Sequence, residues 1–417
     1  MLNDHQSEAA RQGFDVDVDG LRFAVDLLAA SRGAGRRPSD GSLKALPFPD
    51  LLPEDGIGER AALGALAGPI LSDAARLGDP GFLAHMDPPT PWVSWAAAMW
   101  GARLNQNLLH PDTSPAARPL ERLVVDWLSP FFGMDGGHLV PGSSVANLTA
   151  LWVARDLRGV REVVCSEMAH LSIRKAAKIL GLDFRTVPAD ELHRMDTAAL
   201  GDISRSAVVV TAGTVAAGAL DPLAGVAGAR WLHVDAAWGG PLRLSASHSH
   251  LLDGVETADS VSVSAHKWLF QPKESAMILF RDSAAAHEAV SFGGGYLSVP
   301  NVGVLGSHGS SALPLVATLL TWGRRGVAQR IDHCMSMAQE LTERIAAEPG
   351  LELHSRHQTG VVLWRPRGAD SRAIRDRLRR SFVSLSEVRG TLWLRSVAAN
   401  PMASPNDVVD DVLEAIG

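Results

Sequence analysis

The chain has 417 residues, 46% of them hydrophobic and 20% charged, with a formal net charge of −7. That length carries two or three domains around a large buried core. The negative balance argues against nucleic acid or an anionic membrane surface as a partner.

The N-terminus, MLNDHQSEAARQGFDVDVDG, is polar and acidic, without the basic start and apolar core of a signal peptide. No apolar run approaches the ~20 residues that span a bilayer. Two cysteines, Cys165 and Cys334, cannot build a disulfide framework and fit a reducing compartment, so a cytoplasmic soluble protein is expected. Helical spacing predicts helices over Leu21–Ser31 and Glu59–Leu77, separated by GAGRRPSDGS, a loop by composition. The proline-rich turn in HMDPPTPWVSWAAAMWGARLNQNL feeds a helix starting near Trp92. Trp92, Trp95, Trp100 and Leu104 share one face of it, expected to pack in the core or at a subunit interface rather than line a substrate pocket. In SPAARPLERLVVDWLSPFFG, Ser114 is a candidate cap for a helix through Leu120, Val124, Trp127 and Leu128.

From about 139 to 290 the pattern repeats as strand, turn and helix. GSSVANLTALWVARDL and LSIRKAAKILGL read as helices, the second ending at Gly181. Val163–Val164, Val208–Val210 and Leu232–Val234 are short runs read as continuous rather than alternating, the mark of strands buried on both faces of a mainly parallel sheet. This is α/β organisation. After Gly326 a long amphipathic helix, VAQRIDHCMSMAQELTERIAA, precedes VVLWRPR, TLWLRSVAANP and a final helix, DVVDDVLEAI, which suggest a small α/β C-terminal domain. The expected divisions are an N-terminal helical segment (1–78), a large domain (79–324) and a small one (325–417).

Two β-like runs, Trp231–Val234 and Ser260–Val263, deliver ionisable groups at their ends: Asp235 from the first, His266 and Lys267 from the second. A lysine after a strand is usually a surface residue, but Trp268 and Leu269 give Lys267 an apolar setting that disfavours its charge, as a Schiff-base nucleophile needs. Asp235 either caps the following helix or answers a cation. A pyridinium nitrogen would be such a cation, so the pair suits pyridoxal phosphate (PLP). Ala236 or Ala237 is small enough for a planar ring to lie against. Gly142, Ser143 and Ser144 open a helix, where free N–H groups and hydroxyls bind an anion, although Gly-Ser marks many loop-to-helix junctions. His170 follows the strand REVVCS and Thr214 follows SAVVVTAG; a His stacked on the ring and a Thr bonded to the cofactor are the functional readings.

Together these segments resemble the group II PLP-dependent amino-acid decarboxylases of fold type I, which include aromatic-amino-acid, glutamate, cysteine-sulfinate and diaminobutyrate decarboxylases. HVDAAWGG, DSVSVSAHKW, GSSVANLTAL, AHLSIRKAAKILG and TAGTVAAGALDPL carry the resemblance, which runs from His85 to the C-terminus. It implies a fold type I transferase fold with a mainly parallel central sheet and a homodimer with sites at the subunit interface. It further implies Lys267 as Schiff-base lysine, Asp235 as pyridinium partner, and His266 as a phosphate or substrate contact. Ser143, Ser144, His170, Thr214, Ala237 and Ser264 complete the expected cofactor site, and no metal is expected. The single tyrosine, Tyr296, lies in GGGYLSVPN, resembling the family's mobile loop whose tyrosine reprotonates the substrate carbon; relatives with Phe there tend towards oxidative deamination to aldehydes. Departures are a short N-terminus, Ser264 in place of a frequent Asn, and GSHGSSALPL where relatives are arginine-rich. Ser310 in loop 306–314 is the candidate there for a neighbouring subunit's phosphate. Arg395 is a candidate for a substrate carboxylate or a structural ion pair, and Trp92, Asn105 and Gln106 for the substrate pocket.

Overall fold

Two compact units divide the chain, Met1–Asp79 and Pro80–Gly417. The structure, a computed structural model, describes residues 14–31 and 48–417. In the first unit, α1 (Val18–Ala30) starts on Asp17, whose carboxylate accepts from Gly20 N at 2.9 Å, and α2 spans Glu59–Asp73. Both fall where the apolar spacing predicts. Ser31 Oγ donates to Leu71 O at 2.8 Å, and neither helix contains a buried residue. The expected loop GAGRRPSDGS lies outside the described residues.

The second unit opens with α3 (Trp92–Leu104) and α4 (Ala117–Leu128). On α3 the residues that bury are the small ones, Ser94 and Ala97, whereas Trp92 is 71% exposed and Trp95, Trp100 and Leu104 are also exposed. Core packing of the Trp stripe is therefore wrong for this chain: close approach to a neighbouring helix selects the small face and turns the indoles outward. Ser114 does not cap α4 with its side chain; its hydroxyl donates to His110 O at 2.8 Å.

Seven strands form the central sheet: β1 (Gly136–Val140), β2 (Glu162–Ser166), β3 (Asp183–Val187), β4 (Ser206–Thr211), β5 (Trp231–Asp235), β6 (Ser260–Ser264) and β7 (Ala276–Phe280). Their order is β1-β7-β6-β5-β4-β2-β3, with β7 antiparallel to both neighbours and the other pairs parallel. β4 to β7 are buried throughout, which explains the apolar runs of β4 and β7, while β5 and β6 also bury His233 and the serines of SVSVS. Two strands were hidden in the sequence. β3 is an edge strand with a polar pattern, DFRTV, and β1 begins Gly-Gly. At Gly137, φ is +156° and a Cβ would sit 2.0 Å from Ile278 O on β7, so only glycine allows that pairing.

Helices α5 (Ser143–Arg158) and α6 (Leu171–Leu180) follow β1 and β2; α6 stops at left-handed Gly181, as expected. Next come α7 (Ser283–Ala289), a short ladder of β8 (Ser291–Phe292) with β9 (Asn301–Val302), and α8 (Ala312–Ala347). α8 begins well before Gly326 and breaks at Gly323, whose φ of 61° and ψ of 177° no other residue adopts readily. A second sheet, β10-β11-β13-β12, takes β10 (Leu351–Leu353), β11 (Val361–Pro366), β12 (Ser384–Val388) and β13 (Thr391–Val397), with α9 (Ser371–Arg377) and α10 (Pro405–Ile416). One hydrophobic cluster joins both sheets, taking in Val234, Val263 and Trp268 as well as Trp364, Leu394 and Val408. Among the described residues no helix is long and apolar enough to cross a membrane.

Candidate active site

Parallel register brings the chemistry together. Thr211 pairs with Asp235 and Asp235 with Ser262, so β4, β5 and β6 end side by side at one sheet edge. Beyond that edge lies a cavity of about 220 Å³ lined by Gly142, Ser143, Ser144, His170, Thr211, Gly213, Val215, Asp235, Ala237, Trp238, Ser264, His266 and Lys267. This is where open α/β sheets hold ligands.

Asp235 is 3% exposed and has no ion-pair partner among the described residues. Its Oδ1 accepts from Ala237 N at 3.1 Å and Ser262 Oγ at 3.4 Å, and its Oδ2 from Asn147 Nδ2 at 3.0 Å. One oxygen thus serves the turn, as a cap would, while the carboxylate as a whole borders the cavity.

Asn147 is the hub of a directional network. Trp231 Nε1 donates to Ser260 Oγ (2.9 Å), which leaves that hydroxyl to donate to His233 Nδ1 (2.9 Å). His233 Nε2 then donates to Asn147 Oδ1 (3.0 Å), which also accepts from Ser262 Oγ (2.7 Å). The Asn147 amide donates to Asp235 and to Ser172 Oγ (3.0 Å), and Ser172 Oγ reaches His170 Nδ1 at 2.7 Å. Ser172 N also donates to that nitrogen, so Nδ1 is an acceptor and the proton of the neutral ring resides on Nε2. Burial lowers the basicity of His170 and pushes His233 down to about 4, against the pull of Asp235 in each case; both rings are neutral at pH 7. Sequence reasoning missed Asn147, Ser172 and His233. The available signal was a buried-type Asn inside an otherwise apolar helical face.

Lys267 lines the same cavity. Burial is the main influence lowering its ammonium below the ordinary lysine value; Asp235 and Asp87 oppose it, and Lys273 and Arg395 add to it. The turn after it contains Phe270 at φ 59° and Glu274 at φ 66°, strained for side-chain-bearing residues. Trp268 braces that turn: its ring lies 4.0 Å from the Trp238 ring, and its Nε1 donates to Ala398 O at 3.0 Å. Gly213 (φ +103°) lets Trp238 close in, since a Cβ there would stand 2.7 Å from Trp238 Cδ1. Gly213→Ala should therefore cost about 2 to 4 kcal/mol of stability through backbone strain plus overpacking, measurable by denaturant unfolding.

At the far end α5 starts on Gly142 without a side-chain cap, leaving its first N–H groups free. Ser143 Oγ and Ser264 Oγ are 2.7 Å apart, and a Cβ on Gly142 would be 3.8 Å from His266 Cε1. Burial, with help from Lys273 and Lys267, pushes His266 down to about 4, and its Nδ1 is buried without a hydrogen-bond partner among the described residues. Thr211 Oγ1 is likewise buried and unpaired among the described residues. These orphaned groups, the anion-ready helix start and the uncompensated Asp235 are complementary to a flat ring bearing an aldehyde, a basic nitrogen and a phosphate.

Residues 68–367 match the family model described as the pyridoxal-dependent decarboxylase conserved domain. The chain belongs to the pyridoxal-dependent decarboxylase family. It is 31% identical over 457 aligned residues to L-2,4-diaminobutyrate decarboxylase of Rhizobium meliloti, covering 98% of this chain and 90% of that one. Aspartate 1-decarboxylase of Aliivibrio fischeri is 28% identical over 71% of this chain and 65% of its own length. The fold matches the glutamate decarboxylase domain of a Vibrio parahaemolyticus diaminobutyrate enzyme (TM-score 0.83, 22% identity, 99% of both chains). It also matches Oryza sativa TDC with PLP and tryptamine (TM-score 0.85, 20% identity, 96% of this chain and 98% of that one). The fold type I architecture, the PLP cofactor and decarboxylation of an amino acid are thus this pyridoxal-dependent decarboxylase's own.

Thr214, Tyr296 and Ser310, and the substrate-pocket candidates Trp92, Asn105, Gln106 and Arg395, lie outside the cavity lining of this decarboxylase. Thr214 is fully buried, its hydroxyl accepting from Ala219 N at 3.0 Å, and Thr211 and Val215 face the cavity instead. Tyr296 is 74% exposed, its ring 6.4 Å from that of His110. Ser310 Oγ donates to Glu121 Oε1 at 3.3 Å beside a separate cavity of about 410 Å³, which Asn105 and Gln106 also line. Arg395 is 6% exposed; it donates to Val215 O, Ala84 O and Ser384 Oγ and has no ion-pair partner among the described residues. The structural ion pair considered for it is absent there. Arg395 and His85 line another cavity, of about 390 Å³, which shares Val215 with the Lys267 cavity.

Proposed function

We propose that the Lys267 cavity is the catalytic site and that each wall has one task. When bound, pyridoxal phosphate supplies an electron sink for the bond to the leaving carboxylate. Lys267 would hold its aldehyde carbon and yield that position to the substrate amine; burial keeps a fraction of this amine uncharged and nucleophilic. Asp235 would hold a proton on the ring nitrogen, and the Asn147 network keeps the carboxylate aimed. His170 and Ala237, on the cavity lining, would contact the ring, and Ser143, Ser144, Ser264 and His266 the phosphate. Thr214 would act indirectly, by fixing the turn that presents Gly213 and Val215. The observation that carries the reading is the meeting of Lys267, uncompensated Asp235 and the unpaired His266 nitrogen in one cavity.

Tyr296 and Ser310 would serve the cavity of a second copy in a homodimer. The exposed stripe of Trp92, Trp95, Trp100 and Leu104 supports such pairing, since contiguous exposed apolar surface of this kind marks an interaction site. The two buried free cysteines, Cys165 and Cys334, favour a reducing, cytoplasmic setting. Tyr296 would return a proton to the substrate carbon after CO2 leaves, so the product is the amine. A second outcome, oxidative deamination to an aldehyde, is separated by product analysis. With a panel of L-amino acids the wild type should release CO2 and amine without peroxide. Tyr296→Phe should cut amine formation by about 10² or more and raise aldehyde and peroxide. Aldehyde as the wild-type product, or an unchanged Tyr296→Phe product, would remove the proton-donor role.

A further inference from the structure

Asp235 and Lys267 are each followed closely by a buried indole, Trp238 after the first and Trp268 after the second. The two are 1% and 0% exposed, and their ring centroids lie 4.0 Å apart with the planes tilted by 31°. This contact joins the turn after β5 to the turn after β6. The parallel ladder between those strands ends at Asp235 and Ser262. Past it Ala236 N donates to Ser262 O at 3.0 Å, and Ser264 N to Ala237 O at 3.4 Å, the latter at the limit of a hydrogen bond.

Both indoles are also fastened to the second sheet. Trp238 Nε1 donates to Thr359 O at 2.7 Å, and Trp268 Nε1 to Ala398 O at 3.0 Å. Those carbonyls share one end of the sheet, where Val361 of β11 pairs with Val397 of β13 and Ala398 N donates to Gly360 O at 2.9 Å. A buried indole needs a partner for its N–H; here two indoles from different turns find theirs on one sheet edge. Glycine permits the approach, since φ at Gly360 is +75° and a Cβ there would stand 3.0 Å from Trp268 Cζ2. The same edge holds a third turn of the site, 213–220. Thr359 Oγ1 donates to Gly218 O at 2.7 Å, and Leu220 N to Gln358 Oε1 at 3.0 Å.

On pyridoxal phosphate the aldehyde carbon and the ring nitrogen stand opposite each other across a rigid ring, so Lys267 and Asp235 must be held at a matching separation. We infer that Trp268, acting through Trp238, is a positioning residue that fixes this separation, with the edge formed by residues 358–360 and Ala398 as its reference. The inference rests on the Lys267 cavity being the catalytic site. Trp268 is fully buried and, among the described residues, takes no part in the cavity lining, so it acts on the reaction by placement alone. A shift of about 1 Å at either turn is enough to cost about a hundredfold in rate.

The test compares Trp268→Phe with Trp364→Phe. Trp364 is another fully buried indole of the same hydrophobic cluster, but it lies within β11 and its Nε1 donates across the second sheet to Ser396 Oγ at 3.0 Å. Each variant loses one buried indole hydrogen bond, and melting temperatures of the cofactor-free proteins place the two on one scale of structural damage. Cofactor-loaded Trp268→Phe should keep the near-visible absorbance but change the circular dichroism of that band, which reports the tilt of the ring in its site. Its kcat for CO2 release should fall about tenfold to a hundredfold. Trp364→Phe should keep the wild-type values of both, whatever its melting temperature. Trp238→Phe, which breaks the other anchor and keeps a ring in the stack, should move the same two readouts and takes the place of Trp268→Phe if that variant does not fold. Wild-type kcat or wild-type dichroism in Trp268→Phe would overturn the inference, as would equal losses in Trp364→Phe. A wild-type protein that takes up cofactor without a near-visible band would instead overturn the reading of the Lys267 cavity.

Discussion

Lys267→Ala protein should purify without the near-visible absorbance of a lysine-bound cofactor, and its CO2 release should fall by about four orders of magnitude or more. The loss is expected to be total in practice, because among the described residues no other lysine lines the cavity to replace the lost amine. A second measurement separates this from simple unfolding. In the cofactor-free protein the Lys267 ammonium sits where burial disfavours charge, so the residue is a stability liability kept for its chemistry. Cofactor-free Lys267→Met should therefore melt at a higher temperature than cofactor-free wild type. The sign of the pH dependence follows from the lowered basicity. The unfolded chain binds the proton more tightly, so protonation favours unfolding and wild-type stability from this group rises with pH until the unfolded lysine itself deprotonates. The advantage of the Met variant should accordingly shrink as pH is raised. Retained CO2 release in Lys267→Ala would remove the lysine from the mechanism.

The readable part of this molecule was the part where one physical demand dominates. β4, β5 and β6 are buried on both faces, so their residues are apolar or small apart from His233, and the charged groups at or just beyond their ends, Asp235 and Lys267, are conspicuous for breaking that pattern. Gly142–Ser144 was legible because a helix start has a composition of its own. β1 and β3 were not, since one needs glycine for close approach to β7 and the other is a half-solvated edge. Asn147 went unseen for a different reason. Its partners, His233 and Ser172, lie on separate elements, and no spacing along the chain reveals a contact made across a sheet edge. Thr211 and Thr214 illustrate a limit of resolution: sequence reached the right strand end, while the backbone turn at Gly213 decides which hydroxyl faces the cavity. The Trp stripe on α3 was recognised as something to cover, but which side of the helix faces this chain is set by Ser94 and Ala97. Packing density, unlike polarity, leaves little trace in one sequence.

Asp235→Asn should retain the near-visible cofactor band and yet lose about 10³-fold in CO2 release, the scale seen when one preorganised electrostatic group is removed from an active site. Asparagine has the shape of aspartate, so the change looks mild; the hydrogen bonds make it severe. Asn147 Nδ2 points a donor at Asp235 Oδ2, and Ala237 N points another at Oδ1. An amide at 235 can accept from one of them and must then aim its own N–H2 at the other. Asn147 cannot turn over to repair this, because its oxygen already accepts from His233 and Ser262, and His233 is held in that tautomer by Ser260. The variant therefore loses the negative charge that would keep a proton on the ring nitrogen and also buries two donors face to face. Its melting temperature should fall as well. Asn147→Asp on the same background would not restore activity, since it returns a carboxylate one residue away from the ring and leaves His233 and Ser262 to compete for it. An Asp235→Asn enzyme within tenfold of wild type would mean that the ring nitrogen needs no protein carboxylate here, and the role proposed for Asp235 would be withdrawn.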